Sequence, residues 1–78
     1  MTHVKTWDIR LDLTEPDTGG SQARVTLDTG TNTLHGEGRA EAAEGRGVEE
    51  IQDELAVGRA LLDLGNQLGA IGAADSAG

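Results

Sequence analysis

Few residues in this chain are equipped for chemistry. It has no cysteine and no tyrosine, and His3 and His35 are its only histidines. His35 falls on the polar parity of an alternating stretch, near Glu37 and Arg39. No serine or cysteine nucleophile accompanies it, and no second histidine is placed to share a metal. A lone histidine there reads most simply as exposed, and His3 lies in the N-terminal segment. Leu34-His35-Gly36-Glu37-Gly38 contains a G-x-G, but inside a strand pattern, without the following helix that a phosphate loop requires. These glycines read as packing. No catalytic residue, cofactor site or metal site is assigned.

Two charged groupings remain. Glu49, Glu50, Asp53 and Glu54 crowd one short stretch, with Glu50 and Glu54, and Glu49 and Asp53, one helical turn apart. A magnesium or calcium site needs several converging oxygens. Carboxylates at a helix start are also what the helix dipole favours, and that plainer reading is preferred. Arg10, Arg24 and Arg39 form the second grouping, a diagonal stripe on the outward parity of three strands and a candidate contact for RNA or a ribosome. Five acids, Asp8, Asp12, Asp28, Glu37 and Glu41, interleave with them. No aromatic stands among them for base stacking. An ordinary solvated face is the simpler expectation.

The whole-chain balance points the same way. Fourteen acids against six bases give a formal charge of −8 over 78 residues. That disfavours nonspecific binding to nucleic acid or anionic lipid, so neither DNA nor a membrane is expected as a partner. The N-terminus MTHVKTWDIR lacks an apolar signal core, and no apolar run is long enough to span a bilayer. A soluble, cytoplasmic protein is expected.

The element that must organise these residues is the stretch 49–71, the only one periodic enough for a long helix. At about 100° per residue, Ile51, Leu55, Val57, Leu61, Leu62, Leu64 and Leu68 fall on one broad arc that also holds Gly58 and Gly65. Gln52, Arg59, Asp63, Asn66 and Gln67 fill the other side, and Glu54 alone breaks the arc. So wide an arc predicts two covered surfaces, the chain's own sheet and a partner copy, with Leu61, Leu64 and Leu68 as candidate dimer-interface residues. Gly69 and Gly72 supply a stop signal. One domain over 1–71 is expected, followed by a flexible tail over 72–78.

Three alternating stretches precede the helix. Residues 3–13 put Trp7, Ile9, Leu11 and Leu13 on one face, which predicts a half-buried strand with Trp7 in the core. EPDTGG, residues 15–20, is turn chemistry. Residues 21–28 alternate with Ala23, Val25 and Leu27 inward, TGTN at 29–32 makes a second turn, and 33–42 form a third strand. Its inward parity is Leu34, Gly36, Gly38 and Ala40, stripped of bulk as if another backbone must come close. Gly58 and Gly65 on the helix are the expected partners. Residues 42–48 form the crossover. The fold class is α+β: a three-stranded antiparallel meander with one long C-terminal helix on one face.

KTWDIRLDL, the ARVTL strand, L-x-G-x-G-x-A at Leu34, Gly36, Gly38 and Ala40, and EIQDELAVGRALLDL resemble a family of small actinobacterial proteins of unknown function. The resemblance covers most of residues 5–68. It is most specific in the helix, at Glu50, Ile51, Asp53, Glu54, Leu55, Ala56, Arg59, Ala60, Leu61, Asp63 and Leu64. It implies a fold like a double-stranded-RNA-binding domain, dimers, and an association with hypoxia and dormancy. The family has been likened in shape to ribosome hibernation-promoting factors. No catalytic residue is established for it, so none is carried over. This chain departs from the pattern at Glu49, where proline is usual, at Gln52, where glycine is usual, at Gly58, where alanine is common, and in lacking Asn-Pro before Val48.

Size adds its own argument for a partner. A chain this short buries only roughly 60% of the surface its unfolded form exposes. Without cysteine it has no disulfide to compensate, and dimerisation is the remaining way to bury more. The first functional expectation is therefore a non-catalytic homodimeric interaction protein, a stress or dormancy factor. The second is a ribosome- or structured-RNA-associated factor acting through Arg10, Arg24 and Arg39. The third is a small metal-binding module or enzyme using His35 and the acids.

Overall fold

A computed structural model describes residues 1–42 and 48–77. Strict alternation produces three strands, β1 (Asp8–Thr14), β2 (Ser21–Asp28) and β3 (Thr33–Ala40), followed by the helix α1 (Glu49–Ala77). The strands form one antiparallel sheet in the order β1-β2-β3. The turns follow their sequences. Gly19 N donates to Pro16 O at 2.9 Å, and Gly19 and Gly20 adopt φ values of +90° and +83°, which favour glycine over residues with a Cβ. In the second turn Thr29 N donates to Asn32 O at 3.0 Å.

Register places Ile9, Leu11 and Leu13 opposite Leu27, Val25 and Ala23. The latter pair in turn with Leu34, Gly36 and Gly38. All share the face that receives α1. The helix lies over β3 and β2 and does not extend across β1. Its buried row is Gln52, Ala56, Ala60 and Leu64, spaced four residues apart.

The glycines of β3 explain that row. A Cβ at Gly38 would overlap the Ala56 carbonyl oxygen and the Ala60 nitrogen, and one at Gly36 would overlap the Ala60 carbonyl oxygen and Leu64. Two backbones approach so closely that only alanine fits between them. The expected partners, Gly58 and Gly65, instead face open space. The helix is turned away from the orientation that bulk alone would choose, and Ile51, Leu61 and Leu62 are exposed.

Three further expectations are corrected. β1 has no buried residue on its inner face: Ile9, Leu11 and Leu13 are 59%, 40% and 43% exposed, because the helix stops short of them. Trp7 lies ahead of β1 and is 52% exposed, so it is not a core residue. The helix also passes through Gly69 and Gly72 and continues to Ala77. Glycine costs about 1 kcal/mol in a helix without breaking it, and Ala70, Ala73 and Ala74 between and beyond them are strong helix formers. Of the expected crossover over 42–48, residues 43–47 lie outside the described residues.

Candidate interaction surface

A sheet of three strands has two edges, and this one treats them differently. Along β3 three backbone groups, Glu37 N, Arg39 O and His35 O, are taken up by one row of helix side chains. Glu37 N donates to Asp63 Oδ2 at 2.9 Å. Arg59 Nη1 donates to Arg39 O at 2.7 Å, and Gln67 Nε2 donates to His35 O at 2.7 Å. Arg59, Asp63 and Gln67 are spaced at i, i+4 and i+8 and therefore share one helix face. Nearer the helix start, Gln52 Nε2 donates to Ala42 O at 2.8 Å, so this glutamine, expected on the polar side, is buried. The β3 edge is closed to another strand.

Among the described residues β1 has a strand neighbour on one side only. Its register with β2 runs one to one from Asp8↔Asp28 to Thr14↔Gln22, without a bulge. The segment DIRLDLT contains neither proline nor lysine, two residues that commonly blunt an open edge. Beside it the apolar side chains stand uncovered. Trp7, Leu34, Leu68 and Ile71 line an open recess of about 670 Å³ where the segment before β1 faces the far part of the helix.

The three candidate dimer residues separate in position. Leu64 is buried in the core at 4% exposure, Leu68 is partly buried against that core, and Leu61 is 45% exposed. The core itself is thin. Among the described residues its buried apolar members are Ala23, Val25, Leu27, Ala40, Ala56, Ala60 and Leu64, four of them alanine.

Arg10, Arg24 and Arg39 lie on the opposite, solvated sheet face, which supports the sequence placement. Arg10 Nε is 3.4 Å from Asp12 Oδ1, and Arg24 Nε is 4.0 Å from Glu37 Oε1. Arg24 and Arg39 line a shallow recess together with Asp12, Thr14, Gln22 and Glu37. The arginines are thus locally balanced by acids. His35 is on the same face, its Nδ1 3.1 Å from Thr26 Oγ1, an ordinary cross-strand contact between paired residues.

The acidic helix start gains a member that sequence reasoning missed. The turn after β1 brings Glu15 against Glu49 and Asp53. Hydrogen bonding to the Glu49 carboxylate, with desolvation and repulsion from Glu49 and Asp53, pushes the Glu15 carboxyl up to about 7. Asp53 also accepts a hydrogen bond from the buried Ser21 hydroxyl, tying the helix start to β2. Among the described residues no group of three His, Cys, Asp or Glu is arranged to hold a metal ion. Nor is any helix among them long and apolar enough to cross a membrane.

The family model named Rv2632c-like matches the chain over residues 5–77. No curated protein matches it.

Proposed function

The chain belongs to the Rv2632c-like family, and on that premise we propose that it is a non-catalytic, homodimeric interaction protein. One observation carries the reading. Among the described residues, the large apolar side chains left exposed include Trp7, Ile9, Leu11, Leu13, Leu61, Leu62 and Ile71, whereas only Val25, Leu27 and Leu64 are buried. More large apolar side chains are exposed than fully buried, and Ile9, Leu11 and Leu13 gather on the β1 side of one face. Contiguous exposure of that kind marks a surface that meets another molecule. A small chain with a core made mainly of alanine gains most from a second copy.

The resemblance of the strand and helix motifs to small actinobacterial proteins suggests the setting, a cytoplasmic stress or dormancy factor whose fold is like a double-stranded-RNA-binding domain. RNA binding does not follow from that shape. Such domains carry lysines at the start of the last helix, whereas this helix begins with Glu49 and Glu50, which repel phosphate. The second reading places a ribosome contact on Arg10, Arg24 and Arg39. Co-sedimentation with ribosomes at low salt, abolished in the triple alanine variant, is what that second reading requires.

The test of the main reading is size-exclusion chromatography with light scattering. A dimer gives twice the 8.1 kDa chain mass. A monomer at micromolar concentration would overturn it.

A further inference from the structure

We infer that the second copy joins edge to edge through β1, antiparallel and centred on Leu11, to make one continuous sheet with three strands from each copy. The inference rests on the dimer reading above and names its geometry.

Three observations carry it. The first is the asymmetry of the edges. β3 is closed by Asp63, Arg59 and Gln67, while β1 is regular, unbulged and paired on one side only. A flat edge with exposed apolar side chains invites another strand. The second is that β1 is self-complementary. A two-fold axis at Leu11, the midpoint of Asp8–Thr14, pairs the strand along its whole length. Leu11 meets Leu11 of the partner copy, Ile9 meets Leu13, and Arg10 meets Asp12. On the inner face every pair within the strand is apolar on apolar; on the outer face the central pairs are of opposite charge. Both kinds stabilise antiparallel neighbours.

The third is that neighbouring registers are penalised. Moving the axis one residue back sets Arg10 against Arg10 and Asp8 against Asp12. Moving it one residue forward sets Asp12 against Asp12. Like charges directly opposite destabilise a strand pair. In the single chain Arg10 leans on Asp12 at 3.4 Å with both side chains exposed, a contact of little worth. It is readily exchanged for two cross-strand pairs.

The register makes a charge-swap experiment decisive. Arg10→Asp alone, or Asp12→Arg alone, places like charges opposite each other twice across the axis. Each variant should dimerise more weakly by roughly tenfold. Mixed together they become complementary, since the first presents two acids and the second two arginines. The equimolar mixture should recover a dimer in light scattering, and native mass spectrometry should show it to be the heterodimer.

Cysteines read the geometry directly, because the chain has none of its own. Residues directly opposite in an antiparallel pair have Cα atoms about 4.5–5.5 Å apart, within disulfide range. Leu11→Cys should therefore form a covalent dimer on mild oxidation. Ile9→Cys alone should not, because its two copies would stand four residues apart, about 13 Å. Ile9→Cys mixed with Leu13→Cys should. If the unmodified chain is a monomer, both this geometry and the dimer reading fall. If it is a dimer in which Leu11→Cys stays uncrosslinked and folded while Leu61→Cys crosslinks, the dimer reading stands and this geometry falls. Should Leu11→Cys fail to fold by circular dichroism, the charge-swap mixture decides: a heterodimer supports the register, and its absence overturns it.

Discussion

Gly38 lies beneath the Ala56 carbonyl, with no room for a methyl group between them. The neighbouring Gly36 stands in the same relation to Ala60 and Leu64. Gly38→Ala must therefore push the helix off the sheet instead of shifting one flexible side chain. Overpacking of this kind costs about 1–3 kcal/mol, and for a domain of this size each kcal/mol lowers Tm by about 4–8 °C. Gly58→Ala makes a matched control, because it meets open space. It should raise Tm through helix propensity alone. Thermal melts of the two variants should move in opposite directions.

Asp63 accepts the Glu37 amide on the outward side of β3. Asp63→Ala removes that bond and frees the amide. The expected loss is about 1 kcal/mol, measured by urea unfolding. The more specific expectation concerns solubility. The double variant Asp63→Ala, Gln67→Ala reopens an edge that the parent keeps shut, and light scattering should show larger assemblies at concentrations where the parent shows none.

Leu61 and Leu64 are three residues apart, yet one faces solvent and the other the core. Leu64→Asp buries a carboxylate among Val25, Ala60 and Leu27 and should abolish cooperative unfolding. Leu61→Asp should leave the circular dichroism spectrum intact and change chain stability by no more than about 0.5 kcal/mol.

Glu15 gives the fold a pH dependence whose sign is fixed. Its carboxyl titrates at an ordinary value of 4.5 when unfolded and near 7 when folded beside Glu49 and Asp53. Between those values the folded state holds a proton that the unfolded state has lost, so stability from this group falls as pH rises. It is fully present below 4.5 and gone above 7. Unfolding at pH 5 and pH 8 should show the parent weaker at pH 8. Glu15→Gln should reduce that difference and be the more stable chain at pH 8.

Much of this architecture is written in alternation. Residues 21–28 alternate without exception and become β2 over those bounds. Glu49, with acids behind it, marks the helix start correctly. What the sequence conceals is the rotation of the helix. Reading inwardness from bulk puts leucines toward the sheet, but Gly36 and Gly38 create a seat that admits only alanine, and Ala56 and Ala60 take it. The end of the helix is misplaced for a similar reason, because Gly69 and Gly72 read as a stop while the alanines around them carry the helix on. The polar row Arg59, Asp63, Gln67 is visible as a periodicity, but its partners are backbone groups, which have no letter in the sequence. Glu15 and Glu49 become neighbours only through the return of the chain, and nothing local to either announces it. The arginines fall where their parity places them.

The helix glycines have a kinetic consequence. A Cβ added at Gly58, Gly65, Gly69 or Gly72 would meet nothing within 4 Å, and each glycine weakens the helix by about 1 kcal/mol relative to alanine. Detached, such a segment stays mostly coil. The hairpins, robbed of side chains at Gly36 and Gly38, have equally little to hold them together until the segment lands. Each layer therefore supplies the other's nucleus, and the chain should cross a single barrier with both formed at once.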